Sequence, residues 1–148
     1  MLKGIDPILS ADVLHLLASM GHGDDLAIVD ANHPAAAVAS ETTSGILIRL
    51  PGLLMEEVVR AVLSVFPVDT FVDDPLRRME VVGNPAEIPE VQLAVQKAID
   101  ESLGSSHPMI GIERFDFYDA AKKSYGVIQV GDARPYGCFL LKKGVIAD

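Results

Sequence analysis

At 148 residues, 49% hydrophobic and 22% charged, the chain has the size and balance of one globular domain, which excludes disordered and fibrous classes. A net charge of −9, from 12 basic and 21 acidic residues, argues against nucleic acid and anionic membrane as partners, because both require a positive footprint. A lone cysteine, Cys138, allows no internal disulfide and no multi-cysteine zinc site, and no apolar run approaches the ~20 residues that span a bilayer, so a cytoplasmic setting is expected.

Ser10 is a good N-cap, and Val13, Leu16, Leu17 and Met20 follow helical spacing, which predicts a first helix ended by Gly21. Leu26 to Val29 is a short, continuously apolar run, the pattern of a strand buried on both faces. Residues 34–45 have no clean period and read as a loop with room for one helical turn. Ile46 to Leu50 is strand-like, Pro51-Gly52 is a turn, and Leu53 to Phe66 has the spacing of a second helix, stopped by Pro67.

Leu76 to Val82 is the next strand candidate, and Pro89 to Leu103 a third helix with Gly104 just beyond its end. Ile110 to Arg114 reads as a strand, Phe115 to Lys123 as a short helix, Tyr125 to Val130 as a strand and Cys138 to Leu141 as the last strand. This alternation predicts a three-layer α/β/α domain over residues 1–148. The link around Gly131 to Pro135 is short for a helical crossover, so the sheet should be mixed.

The candidate chemistry begins with His22, flanked by Gly21 and Gly23 and placed just before the first strand. Glycines permit a bent loop and leave the imidazole unshielded, so a group able to give and take protons near neutral pH is exposed there. A loop histidine complementing the helix dipole competes with that reading. Asp30 ends the strand, where it can orient a hydroxyl or simply hold a turn. His33 with His22 and Asp30 invites a metal reading, yet the spacing His-x7-Asp-x2-His matches no ligand pattern.

Arg114 is a rigid multi-donor whose competing role is an ion pair with Glu113 or Asp116. Tyr118 and Tyr136 can donate protons or merely pack. Cys138, opening an apolar run, reads as a small core residue rather than a nucleophile. No phosphate-loop glycine pattern occurs.

In combination, Met1-Leu2-Lys3, Gly21-His22-Gly23-Asp24, Asp30-Ala31-Asn32 with Pro34, Arg114-Phe115 with Phe117-Tyr118, and Tyr136-Gly137 with Leu140-Leu141-Lys142-Lys143-Gly144-Val145 resemble the RbsD/FucU family of sugar mutarotases, on the L-fucose side. The likeness spans the chain, although residues 35–105 add little to it. The resemblance implies an RbsD-like fold and exchange of sugar anomers at C1 with no metal and no organic cofactor. It also implies His22 as acid/base with Tyr136 or Tyr118 as its counterpart, Asp30 and Arg114 as substrate-binding residues, and Tyr136-Gly137-Cys138 as a sugar-contacting segment. A monosaccharide partner and a ring-like homo-oligomer, commonly a decamer with sites at subunit interfaces, come with it. D-ribose pyranase activity and a non-catalytic sugar-binding or transport-accessory role are the alternatives. One departure stands out: the fucose branch often has Asn after the Tyr-Gly pair, where this chain has Cys138, which cannot replace an amide.

Overall fold

The structure is a computed structural model and describes residues 1–147. Its elements run α1 (Ala11–Ser19), β1 (Asp25–Val29), α2 (Ala35–Ala39), β2 (Leu47–Leu50), α3 (Met55–Leu63), β3 (Leu76–Met79), α4 (Glu90–Leu103), β4 (Ile110–Ile112), α5 (Arg114–Lys122), β5 (Gly126–Val130) and β6 (Phe139–Lys142). The strands form one six-stranded sheet in the order β2-β5-β1-β6-β3-β4. β1 is parallel to β5, and β5 to β2, whereas β6 runs antiparallel to both β1 and β3. The sheet is therefore mixed, as the short link before β6 predicts.

β1 explains the layering. Leu26 and Ile28 point into a core shared with α1, α3 and α4, while Ala27 and Val29 point into a second core shared with α2 and α5. A strand covered on both faces has no polar face to alternate with, hence the unbroken apolar run. The three layers are α1, α3 and α4, the sheet, then α2 and α5.

Several predicted boundaries shift for local reasons. The strand expected over 76–82 stops at Met79 because the chain bends away beyond Glu80, whose N–H is held by the Ile112 carbonyl at 2.8 Å. The strand expected over 110–114 stops at Ile112, since the Glu113 carboxylate accepts the N–H groups of Phe115 and Asp116 and caps α5. Arg114 thus opens a helix instead of closing a strand. α3 is shorter than the predicted 53–66: Glu57 reaches back to the Leu54 N–H at 2.7 Å, which fixes the helix start. The loop expected over 34–45 contains α2, and Cys138 stands just before β6.

The topology creates two distinct sheet edges. The carboxyl ends of β1, β3, β4 and β5 share one edge with the amino end of β6, as the pairing of Ile28 with Phe139 and Met79 with Ile112 requires. The opposite edge holds the amino end of β1, the carboxyl end of β6 and the Val68–Lys143 bridge. In open α/β sheets, ligands bind in the crevice at the carboxyl edge.

Candidate active site

Asp30 follows β1 directly and is buried. Its Oδ1 accepts the Asn32 N–H at 3.0 Å, the turn role weighed above, while Oδ2 accepts the Gly137 N–H at 2.9 Å. One carboxylate therefore does both jobs: it shapes the turn and ties β1 to the segment before β6. Burial pushes its pKa above the usual carboxylate value, against the pull of the Asn32 and Gly137 N–H groups.

Around Asp30 lies a cavity of about 320 Å³ lined by residues that include His33, Arg114, Tyr118, Tyr136 and Cys138. That volume is within the small-molecule range. Arg114 ion-pairs with neither Glu113 nor Asp116; its Nε donates to the Tyr118 hydroxyl at 3.2 Å, and the guanidinium lies 5.5 Å from the Tyr118 ring centre. Tyr136 adopts φ +64°, the left-handed region that side chains other than glycine's rarely enter, and its hydroxyl accepts the Val82 N–H at 3.2 Å. Strain of this kind gathers where a side chain must be aimed. Gly137, next to it, is closely packed: a Cβ there would come 3.2 Å from the Asp30 Cβ, tight enough that Asp30 would have to shift by a few tenths of an ångström.

Cys138 is buried, and burial pushes its thiol pKa up, so it stays a protonated wall group. Its Sγ lies 3.5 Å from His33 Nδ1 and 3.8 Å from Asp30 Oδ2. His33, whose sequence context points only to a metal ligand, is a cavity residue. Burial pulls its pKa down to about 4, so the imidazole is neutral at pH 7 and wedged between Cys138 and the rings of Phe117 and Tyr118. Its position is set by the Asp30 turn, which carries the chain back over the strand end. Among the described residues no group of three His, Cys, Asp or Glu side chains is arranged to hold a metal ion.

His22 lies elsewhere. Five residues of β1 separate it from Asp30, and at ~3.3 Å per residue the strand alone spans about 16 Å. One chain therefore does not bring His22 to the cavity. Its loop is built at the amino edge: Gly23, at φ +87°, donates to the Lys143 carbonyl at 2.8 Å, and Lys143 donates back to Asp24. The helix-end cation role belongs to Lys143, whose Nζ bonds the Leu17 and Met20 carbonyls at 2.7 and 2.6 Å. His22 Nε2 instead meets Asp69 Oδ1 at 3.1 Å, with its ring 5.2 Å from the exposed Phe71. The Phe71 N–H, foremost, and then His22 hold the Asp69 carboxyl below its usual pKa. The imidazole, 44% exposed, faces outward beside a buried carboxylate.

The RbsD / FucU transport protein family model matches residues 3–146. The chain is 37% identical to the L-fucose mutarotase of Haemophilus influenzae (strain 86-028NP), over 98% of this chain and 97% of that protein. Its fold superposes on protein Atu2016 with a TM-score of 0.96 at 51% identity, covering 99% and 97% of the two chains. It also superposes on the fucose mutarotase of Streptococcus pneumoniae in complex with L-fucose, with a TM-score of 0.85 at 32% identity, covering 99% of this chain and all of that one.

Proposed function

The chain belongs to the RbsD/FucU family, and from that premise we propose that it is a mutarotase, an isomerase that interconverts the α and β anomers of L-fucose or a closely related monosaccharide. The observation that carries the reading is the convergence of Asp30, Arg114, Tyr118 and Tyr136, far apart in sequence, on one cavity. A carboxylate and a guanidinium can grip sugar hydroxyls there, and a phenol can exchange protons. Curated relatives carrying the mutarotase name support the same conclusion.

In this mechanism the proton leaves the anomeric hydroxyl, the ring oxygen gains one, and the C1–ring oxygen bond breaks to give the open aldehyde. Rotation about C1–C2 and reclosure on the opposite face return both protons. Only positioned acids and bases are needed, each contributing about 10²- to 10⁴-fold. Tyr136 or Tyr118 serves one end and His22 the other. His22 acts from a neighbouring copy, a reading supported by its outward-facing ring at the sheet edge opposite its own cavity.

We therefore favour a ring-like homo-oligomer, decameric as the resemblance implies, working in the cytoplasm, with residues 1–148 as one catalytic domain. The exposed apolar side chains Phe71, Phe115 and Ile146 suit subunit contacts. Saturation-transfer NMR on L-fucose decides the activity: the protein accelerates anomer exchange. Saturable binding without acceleration would instead make it a sugar-binding subunit, and acceleration confined to D-ribose a pyranase. Light scattering reads the subunit number.

A further inference from the structure

The peptide unit between Tyr136 and Gly137 is held from both ends. Its N–H donates to Asp30 Oδ2 at 2.9 Å, and its carbonyl, that of Tyr136, accepts from Gln92 Nε2 at 3.0 Å. Gln92, on the first turn of α4, is fully buried. Its Nε2 also donates to the Met79 carbonyl at 2.7 Å, and its Oε1 accepts from Arg78 at 3.3 Å. Two carbonyl partners on one side and a guanidinium on the other leave a single orientation for the amide, and both of its donors are used.

A buried amide costs stability unless its hydrogen bonds are made, and an apolar residue would fill the same space without that demand. What the amide supplies is a fixed direction for one peptide plane. That plane sits where the backbone is strained, at φ +64° for Tyr136. Left-handed backbone at a non-glycine residue costs on the order of 1–3 kcal/mol and persists only when neighbours over-determine it. Relaxation of the strain would rotate the plane, swinging the Gly137 N–H off Asp30 and the Tyr136 ring off the cavity.

We propose that Gln92 is a positioning residue that clamps the Tyr136–Gly137 peptide, and through it sets both the aim of Tyr136 and the hydrogen bonding of the Asp30 carboxylate. The inference rests on the mutarotase reading of the cavity for its functional consequence, though not for its geometry. It reaches into residues 35–105, a stretch in which the sequence alone points to no site residue. Cys138 and His33 stand beside Asp30, while Arg114, Tyr118 and Tyr136 line the same cavity. All five keep their side chains when Gln92 is replaced.

Gln92→Met keeps the length and removes both donors. In the folded variant, kcat/KM for L-fucose anomer exchange falls about 10- to 100-fold, the scale of a misplaced reacting group. The carboxyl carbon of Asp30, followed by NMR, titrates at higher pH because the Gly137 N–H no longer favours the ionised form. The Gly137 amide resonance moves with it. A residue that only fills the core would lower the melting temperature and leave the Asp30 titration, the Gly137 resonance and kcat/KM unchanged, and that result overturns the proposal.

If Gln92→Met does not fold, Gln92→Asn, one methylene too short to span both carbonyls, must show the same changes at smaller size. Wild-type values in folded Gln92→Asn overturn the clamp equally. Wild-type protein that accelerates no anomer exchange would sink the mutarotase reading alone, since the Asp30 and Gly137 signals need no sugar.

Discussion

His22 and His33 stand at the two ends of the same short strand, and almost everything about their surroundings differs. His33 is sealed in the cavity wall at the carboxyl edge, neutral, against a thiol and two aromatic rings. His22 faces outward at the amino edge, paired with a buried carboxylate and flanked by an exposed phenylalanine. A sealed imidazole is costly to protonate and can serve shape and hydrogen bonding, whereas an open one exchanges protons with water and can cycle. The comparison teaches that the cavity and the exposed imidazole lie at opposite sheet edges, so the proposed pairing of His22 with a cavity tyrosine requires two copies of the chain.

The largest effect should come from the open end. His22→Gln removes the proposed acid/base and is expected to slow anomer exchange by about 10²- to 10⁴-fold, with sugar binding largely kept. Asp30→Asn should lose binding and exchange together. If the site is shared between copies, mixing the two inactive variants under conditions that allow subunits to exchange restores measurable activity. A mixture as inactive as its parents would return His22 to a role within its own chain.

The sealed end is tested by stability rather than rate. His33 has its pKa lowered from 6.5 to about 4 by burial, so below pH 6.5 the unfolded chain takes up a proton that the folded one refuses. Stability is therefore intact above pH 6.5 and lost as pH falls toward 4. The loss from this one group is about 3 kcal/mol. His33→Phe, similar in volume and unable to titrate, should flatten the denaturant-derived stability curve over that window. A curve as steep as wild type would mean that other groups dominate it.

Much of the fold was legible because its strongest signals are local. The α1 cap at Ser10, the doubly buried β1 run and the left-handed Gly104 after α4 each follow from a few adjacent residues. The mixed sheet was legible from one short link. Boundaries moved where single side-chain hydrogen bonds, which leave no trace in the apolar period, end or start an element, as when the Glu113 carboxylate caps α5 and Glu57 fixes the start of α3. For the site, Asp30, Arg114, Tyr118 and Tyr136 were singled out and do meet in the cavity. The sequence offers His33 only as a metal ligand because its place in the cavity wall depends on a turn folding it beneath Tyr118, and it hides Gln92 because nothing local distinguishes a clamp from an ordinary helix glutamine. Asp69 falls in the link between the second predicted helix and the 76–82 strand candidate, where only the fold reveals that it meets His22.

Two smaller effects sharpen the amino edge. Asp69→Asn keeps the shape of the contact and removes the charge that orients His22, at a net hydrogen-bond contribution of about 1 kcal/mol, or roughly fivefold in anomer exchange. Binding should be unaffected, because Asp69 lies outside the cavity.

Lys143→Met is the mildest change and separates scaffold from chemistry. The ammonium closes two carbonyls at the end of α1 while the Lys143 backbone pairs with Gly23 and Asp24, so the variant loses the cap and keeps the loop's ladder. A cation at a helix carboxyl end is worth about 0.3–1 kcal/mol, which should appear as a small drop in unfolding free energy with anomer exchange nearly unchanged. Should exchange fall as far as in Asp69→Asn, the ladder alone does not hold His22 in place, and the amino edge depends on its helix cap as much as on its ion pair.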